Sequence, residues 1–296
     1  RVWRDSRIFY SSVEERPRIM NLASRNSLTF TGIGLALGLF ASRAISVASA
    51  SAGTRAPAAL TLHLYDHCPF CIRIELILCR LNIPYDRVVY GYGQGAGADR
   101  KGYDESGGPV ALTGKKMLPV LEMGGRKYSE SLEIVGLVQS WAGCPSLPCS
   151  SSPGRLNSWK KEFGPVKSAL VRPRIVKLTN LKDWSDPRDV EYAKNKYINA
   201  GFDYDASLAE SQKLKEEATR LLKELDTTVL MGGSDSGPVS VNEYGWGIDD
   251  LCLLPDLRSL TVVAGVEWPE RIRRYLTESF DDRKCPGELY DKWAVE

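Results

Sequence analysis

The stretch Leu64–Tyr90 reads LYDHCPFCIRIELILCRLNIPYDRVVY and places two cysteines, Cys68 and Cys71, two residues apart around Pro69 and Phe70. What lies on either side of them decides the fold. Just upstream, in LTLHLY, Leu60, Leu62 and Leu64 alternate with the period of a half-buried strand. Downstream, Ile74, Ile77, Leu78 and Leu81 recur at helical spacing, which predicts an amphipathic helix. The segment NIPYDRVVYG then returns to strand character. The unit is β-α-β, with C-x-x-C at the strand-to-helix junction.

That position dictates chemistry. A helix N-terminus offers free N–H groups and the positive end of the helix dipole, and both favour a thiolate on Cys68. Pro69 suits the first helical turn, where its missing N–H costs nothing. Cys71, one turn on, is placed to attack a mixed disulfide on Cys68. A zinc site would need two more ligands. No second C-x-x-C is present, CPSLPC (Cys144, Cys149) has no histidine partner, and His63 and His67 are the only histidines. The competing reading is a pair of buried structural thiols.

A glycine-rich loop follows, GYGQGAGADRKGYDESGG, Gly91–Gly108. MLPVLEMGGRKYSES then predicts a strand over 118–122, a turn at Gly124–Gly125, a short strand over 126–128 and a helix over 130–142. The Pro/Ser-rich linker Gly143–Gly154 separates this α/β domain, 59–143, from an all-helical domain, 155–296. In the second domain LNSWKKEFGPVKSALV, PRDVEYAKNKYINAG and LAESQKLKEEATRLLKELDTTVL read as helices. Pro187 and Pro269 mark helix starts. KLKEEATRLLKEL carries opposite charges at i,i+4, as expected of a solvated face.

LYDHCPFC, MLPVL, SES and the downstream run DDLCLLPDLRSLTVVAGVEWPERI together resemble the glutaredoxin 2 family, from about Leu60 to Leu276. The resemblance implies a thioredoxin-like α/β domain followed by an all-α domain like that of glutathione transferases. It implies a glutathione-dependent thiol–disulfide oxidoreductase acting on disulfide or glutathionylated proteins. Glutathione would be the co-substrate, with no metal and no nucleotide. Cys68 matches the family's nucleophile, Cys71 its second cysteine, and Pro119 the cis-proline facing them. The Leu118 backbone, Glu130 and Ser131 match the groups that hold glutathione. Glu130 would receive the γ-glutamyl ammonium, and Ser131 its carboxylate at a helix N-terminus. The bland reading of Glu130–Ser131 is an ordinary helix cap. Phe70 stands where the family commonly has tyrosine, and the Gly91–Gly108 loop is longer than the family's. Gly247 stands where transferase folds have the serine of a Ser-x-x-Asp capping box, leaving only Asp250. Arg172–Lys177 resembles a family helix near the cleft.

The N-terminal arm, 1–58, supports other expectations. Asn26–Ser42 is free of charge and is flanked by Arg25 and Arg43. As a helix it would span roughly 25 Å, the short end for a transmembrane segment. Gly34 and Gly38 form a G-x-x-x-G that allows close helix approach. One reading is thus a membrane anchor over about 27–42, in the thylakoid or mitochondrial inner membrane. The chain would then be an accessory subunit of an organellar membrane complex, joined through residues 1–45. The other reading is a removable targeting signal starting at Met20, with A-x-A sites at Ala48–Ala50 and Ala50–Ala52. A membrane-tethered isomerase of the prostaglandin E synthase type 2 kind shares the layout, but the LRSLTVVAG…WP run favours the glutaredoxin 2 family.

A net charge of +2, with no clustered basic stripe, argues against a nucleic-acid surface. Seven irregularly spaced cysteines do not make a secreted disulfide framework.

Overall fold

A computed structural model describes residues 59–232, 238–280 and 287–296. The predicted hydrophobic segment over 27–42 and Cys285 lie outside these. Among the described residues no helix is long and apolar enough to cross a membrane.

The sheet is built from β1 (Thr61–Leu64), β2 (Asp86–Val89), β3 (Val120–Met123) and β4 (Arg126–Tyr128). Their order is β2-β1-β3-β4. β1 runs parallel to β2 and antiparallel to β3, and β3 antiparallel to β4. The predicted strand over 118–122 begins two residues late. Pro119 has no N–H to give a ladder, and the Leu118–Pro119 peptide is cis.

α1 (Pro69–Arg80) follows β1 and crosses to β2. The sequence predicts one apolar stripe. Instead every residue from Cys71 to Leu78 is buried. The helix is covered on both sides, by the sheet and α3 (Ser131–Trp141) and by α8 (Ile248–Leu260) of the helical part. Of the two charges caught inside, Glu75 is ion-paired, whereas Arg73 bonds the Ser131 hydroxyl. Glu75, fully buried, accepts from Arg87 Nε at 2.6 Å and from Tyr85 at 3.0 Å.

A short helix α2 (Val110–Thr113) precedes β3, and the helical part continues with α4 (Gly154–Ile175), α5 (Pro187–Asn199), α6 (Tyr204–Ala209), α7 (Ser211–Glu224) and α9 (Glu270–Ser279). The single helix predicted over Leu208–Leu230 is broken at Glu210, which caps both α6 and α7. Arg174 of the RPRIVK strip is buried and bonds the carbonyls of Leu170 and Val295 and the Ser211 hydroxyl, so its work is structural. At the start of α8 the fully buried Asp250 accepts from Gly247 N–H (2.8 Å), Val241 N–H (2.9 Å), Ser240 (2.8 Å) and Tyr275 (2.6 Å). The missing cap serine has a steric reason. A Cβ at Gly247 would lie 2.3 Å from the Pro148 carbonyl oxygen.

The long Gly91–Gly108 loop is folded back on itself through a bridge between Gln94 and Tyr103. It is pinned to α5, where the buried Asp189 accepts from Gly93 N–H at 2.7 Å. A Cβ on Gly102 would lie 2.5 Å from the Gly93 carbonyl oxygen, so glycine is required where the loop doubles back on its own backbone.

Candidate functional site

Topology brings three segments to one end of the sheet. β3 is antiparallel to β1 and its first residue, Val120, pairs with His63 near the end of β1. The Leu118–Pro119 peptide therefore lies beside the loop that leads from β1 to Cys68. β4 ends with Tyr128 opposite Leu121, so the start of α3, with Glu130 and Ser131, comes to the same end. Arg73, on α1, ties the helix headed by Cys68 to the start of α3 by donating from Nη1 to the Ser131 hydroxyl at 2.8 Å. Its guanidinium also lies 5.3 Å over the ring of Phe70, which is 46% exposed.

Cys68 is the N-cap of α1, with Pro69 at the first helical position. It is half-buried, and Cys71 is fully buried. The two thiols differ in proton affinity. Cys68 is drawn down to about 7, first by a hydrogen bond from the Cys71 thiol, against the cost of burial. The positive form of His67 and the N–H groups of Cys71 and Phe70 add to this. Cys71 is pushed well up by burial and by its role as donor to Cys68. One sulfur thus ionises early and the other keeps its proton, which separates an attacking thiolate from a reserve thiol.

Glu130 does take the cap position of α3, with φ 69°, but its side chain does not serve as the cap, so its exposed carboxylate remains available. Ser131 is buried, accepts from Arg73 and keeps its own hydroxyl proton to donate.

Sequence reasoning missed several groups. The sequence presents His67 only as a possible metal ligand, yet it adjoins Cys68 and its Nδ1 lies 2.6 Å from Asp183. Asp183 is contributed by the helical part, and no local pattern marks it. Lys116 donates to the Tyr65 hydroxyl (2.7 Å) and the Tyr92 carbonyl (2.5 Å), and faces the rings of Tyr65, Tyr92 and Tyr192. Burial, and then the neighbouring Lys196, push its ammonium down to about 7. Lys196 in turn donates to the Tyr92 hydroxyl at 2.7 Å. A lysine three residues before a predicted cis-proline was the one available signal.

A thioredoxin-like sheet with a thiol-headed helix, followed by a helical part, defines the glutathione-transferase-like class of two-part proteins. Residues 67–139 match the family described as glutathione S-transferase, N-terminal domain, and residues 155–294 match glutaredoxin 2, C terminal domain. Glutaredoxin 2 of Escherichia coli K12 is 29% identical over 217 residues, 73% of this chain and 92% of that protein. The crystal structure of glutaredoxin 2 from Salmonella typhimurium in complex with glutathione is 28% identical, with a TM-score of 0.67 over 80% of this chain and 100% of that one. The helical part matches the glutaredoxin 2 C-terminal family, and the chain is a thiol oxidoreductase of the glutathione-dependent class.

Proposed function

We propose that the chain reduces disulfides and glutathione mixed disulfides through its C-P-F-C site, with Cys68 as the attacking sulfur. The observation that carries this is the split between the two thiols, Cys68 drawn down and Cys71 pushed up. Cys68 thiolate attacks one sulfur of the substrate disulfide. A Cys68–substrate disulfide forms and the other half leaves as a thiolate. Either Cys71 gives up its proton and attacks Cys68, releasing the second half, or a glutathione thiolate attacks the mixed disulfide directly. For a protein disulfide two glutathiones supply the two electrons and end as glutathione disulfide; for a glutathione mixed disulfide one added glutathione suffices, leaving joined to the glutathionyl half of the substrate.

Glutathione sits with its backbone against Leu118, beside Pro119. Its γ-glutamyl carboxylate takes the Ser131 hydroxyl and the free N–H groups that open α3, and its ammonium faces Glu130. Support comes from the convergence of these segments at one end of the sheet and from the glutathione-bound relative. Replacement of Cys68 by serine is the test. Glutathione-coupled disulfide reduction falls to background; activity that survives in Cys68→Ser rules the assignment out.

A further inference from the structure

We propose that Asp183 is a positioning residue for the redox sulfur: by gripping the backbone and the ring of His67 together, it holds the imidazole beside Cys68, so that the helical part of the chain sets the reactivity of a thiol carried by the α/β part. The proposal rests on Cys68 being the attacking sulfur.

Asp183 lies in the turn Lys182–Trp184, between α4 and α5, and is fully buried. Its Oδ1 accepts from Asp66 N–H at 2.9 Å. Its Oδ2 accepts from His67 N–H at 2.6 Å and lies 2.6 Å from His67 Nδ1. A buried carboxylate must be matched by donors, and the two peptide N–H groups already serve that need by fixing the loop that delivers Cys68. The ring contact does something more. With Nδ1 facing Asp183, the ring's orientation is set and Nε2 is the nitrogen left for other partners. The walls agree: Trp184 packs on the imidazole at 4.5 Å, Tyr92 meets it edge-on at 4.7 Å, and Tyr65 lies at 5.9 Å. These rings and Asp183 hold the imidazole of the residue that immediately precedes Cys68.

Other groups face Cys68 as well. Cys71 and the Phe70 N–H act from α1, Tyr65 and Tyr92 from the segments after β1 and β2, and Lys196 and Tyr197 from α5. Of these, none is held by Asp183. Asp183 also bonds the Asp66 and His67 N–H groups of the loop and acts on Cys71 and Tyr65, so His67→Gln and the double variant are what isolate the path through the ring.

The experiment is the pH profile of iodoacetamide alkylation of Cys68 in the full chain, with the modified cysteine located by peptide mass spectrometry. Asp183→Asn slows alkylation near pH 6 by roughly 5–10-fold and changes it little near pH 9, because the thiolate fraction shifts while the sulfur's access does not. His67→Gln gives the same shift, and the double variant adds nothing to it. Profiles of Asp183→Asn and His67→Gln that coincide with the unmodified chain, with only the melting temperature lowered, overturn the proposal. So does a shift in Asp183→Asn that His67→Gln lacks. If Asp183→Asn does not fold, His67→Gln alone decides. Failure of the underlying reading looks different, because Cys68 would then resist alkylation at every pH in the unmodified chain.

Discussion

Arg258 on α8 donates from Nη1 to the main-chain oxygen of Asp66, two residues before Cys68, at 2.9 Å. The same nitrogen meets the Tyr290 hydroxyl at 2.5 Å, and that hydroxyl reaches the Asp66 oxygen at 3.1 Å. Arg258 Nε bonds the Glu288 carbonyl at 2.8 Å. Together with Asp183, which takes the N–H of Asp66 and His67, these contacts clamp the redox loop from the helical side by both its donors and its acceptors.

That clamp has a measurable weight. Arg258→Met keeps most of the buried stem but strands the carbonyl of Glu288 and leaves that of Asp66 only the Tyr290 hydroxyl. It lowers unfolding free energy by about 2–4 kcal/mol, the range for losing several buried bonds to one charged group. Urea denaturation is the measurement. A loss below about 0.5 kcal/mol, the size of an ordinary surface change, shows that the contacts are dispensable.

Cys71→Ser separates the two roles of Cys71. The Cys71 thiol is the first cause of the low Cys68 value of about 7. A serine hydroxyl is a different donor at a different reach, so the alkylation midpoint of Cys68 moves away from 7, upward. Monothiol turnover of a glutathione mixed disulfide continues, because glutathione itself can resolve the Cys68 adduct. An unmoved midpoint means that the hydrogen bond between the thiols does not matter.

Lys116 links the site to stability. Its folded value of about 7 lies below its ordinary 10.5. Between these values the unfolded chain binds more protons than the folded one. This group's contribution to stability therefore rises with pH from about 7 upward. Lys116→Met removes that slope and stabilises the protein at pH 7 by about 1–2 kcal/mol, after discounting the full linkage for the partial exposure of the side chain. The check is the difference in unfolding free energy between variant and unmodified chain at pH 7 and pH 9, in which shared titrations such as that of Cys68 cancel. A difference that does not change with pH sinks the assignment.

The sequence made β1, α1 and the redox motif legible because their signals are local: a two-residue alternation, a helical period and a proline at a helix start. It also marked Pro119 and the start of α3. What it could not show depends on what packs where. Arg73 and Glu75 read as polar positions of α1 and are buried, Arg73 against Ser131 of α3 and Glu75 against Arg87 of β2. Asp183 reaches His67 across 116 positions, and Lys116 reaches Tyr65 across 51, so neither leaves a trace in a sliding window.

Gly247 shows the same limit from the other side. By propensity alone, Gly247→Ser improves the cap of α8. In the structure the added Cβ would lie 2.3 Å from the Pro148 carbonyl oxygen and 2.8 Å from the Asn242 amide nitrogen. The backbone must shift, and the variant is destabilised by about 1–3 kcal/mol, as overpacked sites are. A serine variant with a melting temperature equal to or above that of the unmodified chain contradicts this.

Glu130 and Ser131 separate binding from folding. Glu130 is exposed and makes no cap bond, so Glu130→Gln leaves stability within about 0.5 kcal/mol. Its effect falls on glutathione. In the proposed glutathione site, loss of the carboxylate assigned to the γ-glutamyl ammonium raises KM by roughly 10-fold, about one charge-assisted hydrogen bond, with kcat nearly unchanged. Ser131→Ala acts on both. It removes the donor to the γ-glutamyl carboxylate and deprives the buried Arg73 guanidinium of its 2.8 Å acceptor, which costs about 1–3 kcal/mol of stability. In neither variant does the alkylation midpoint of Cys68 move, because neither side chain is among the groups that draw that thiol down. Steady-state kinetics with glutathione, paired with thermal unfolding of both variants, reads the two effects apart. An unchanged KM in both removes these residues from the glutathione site.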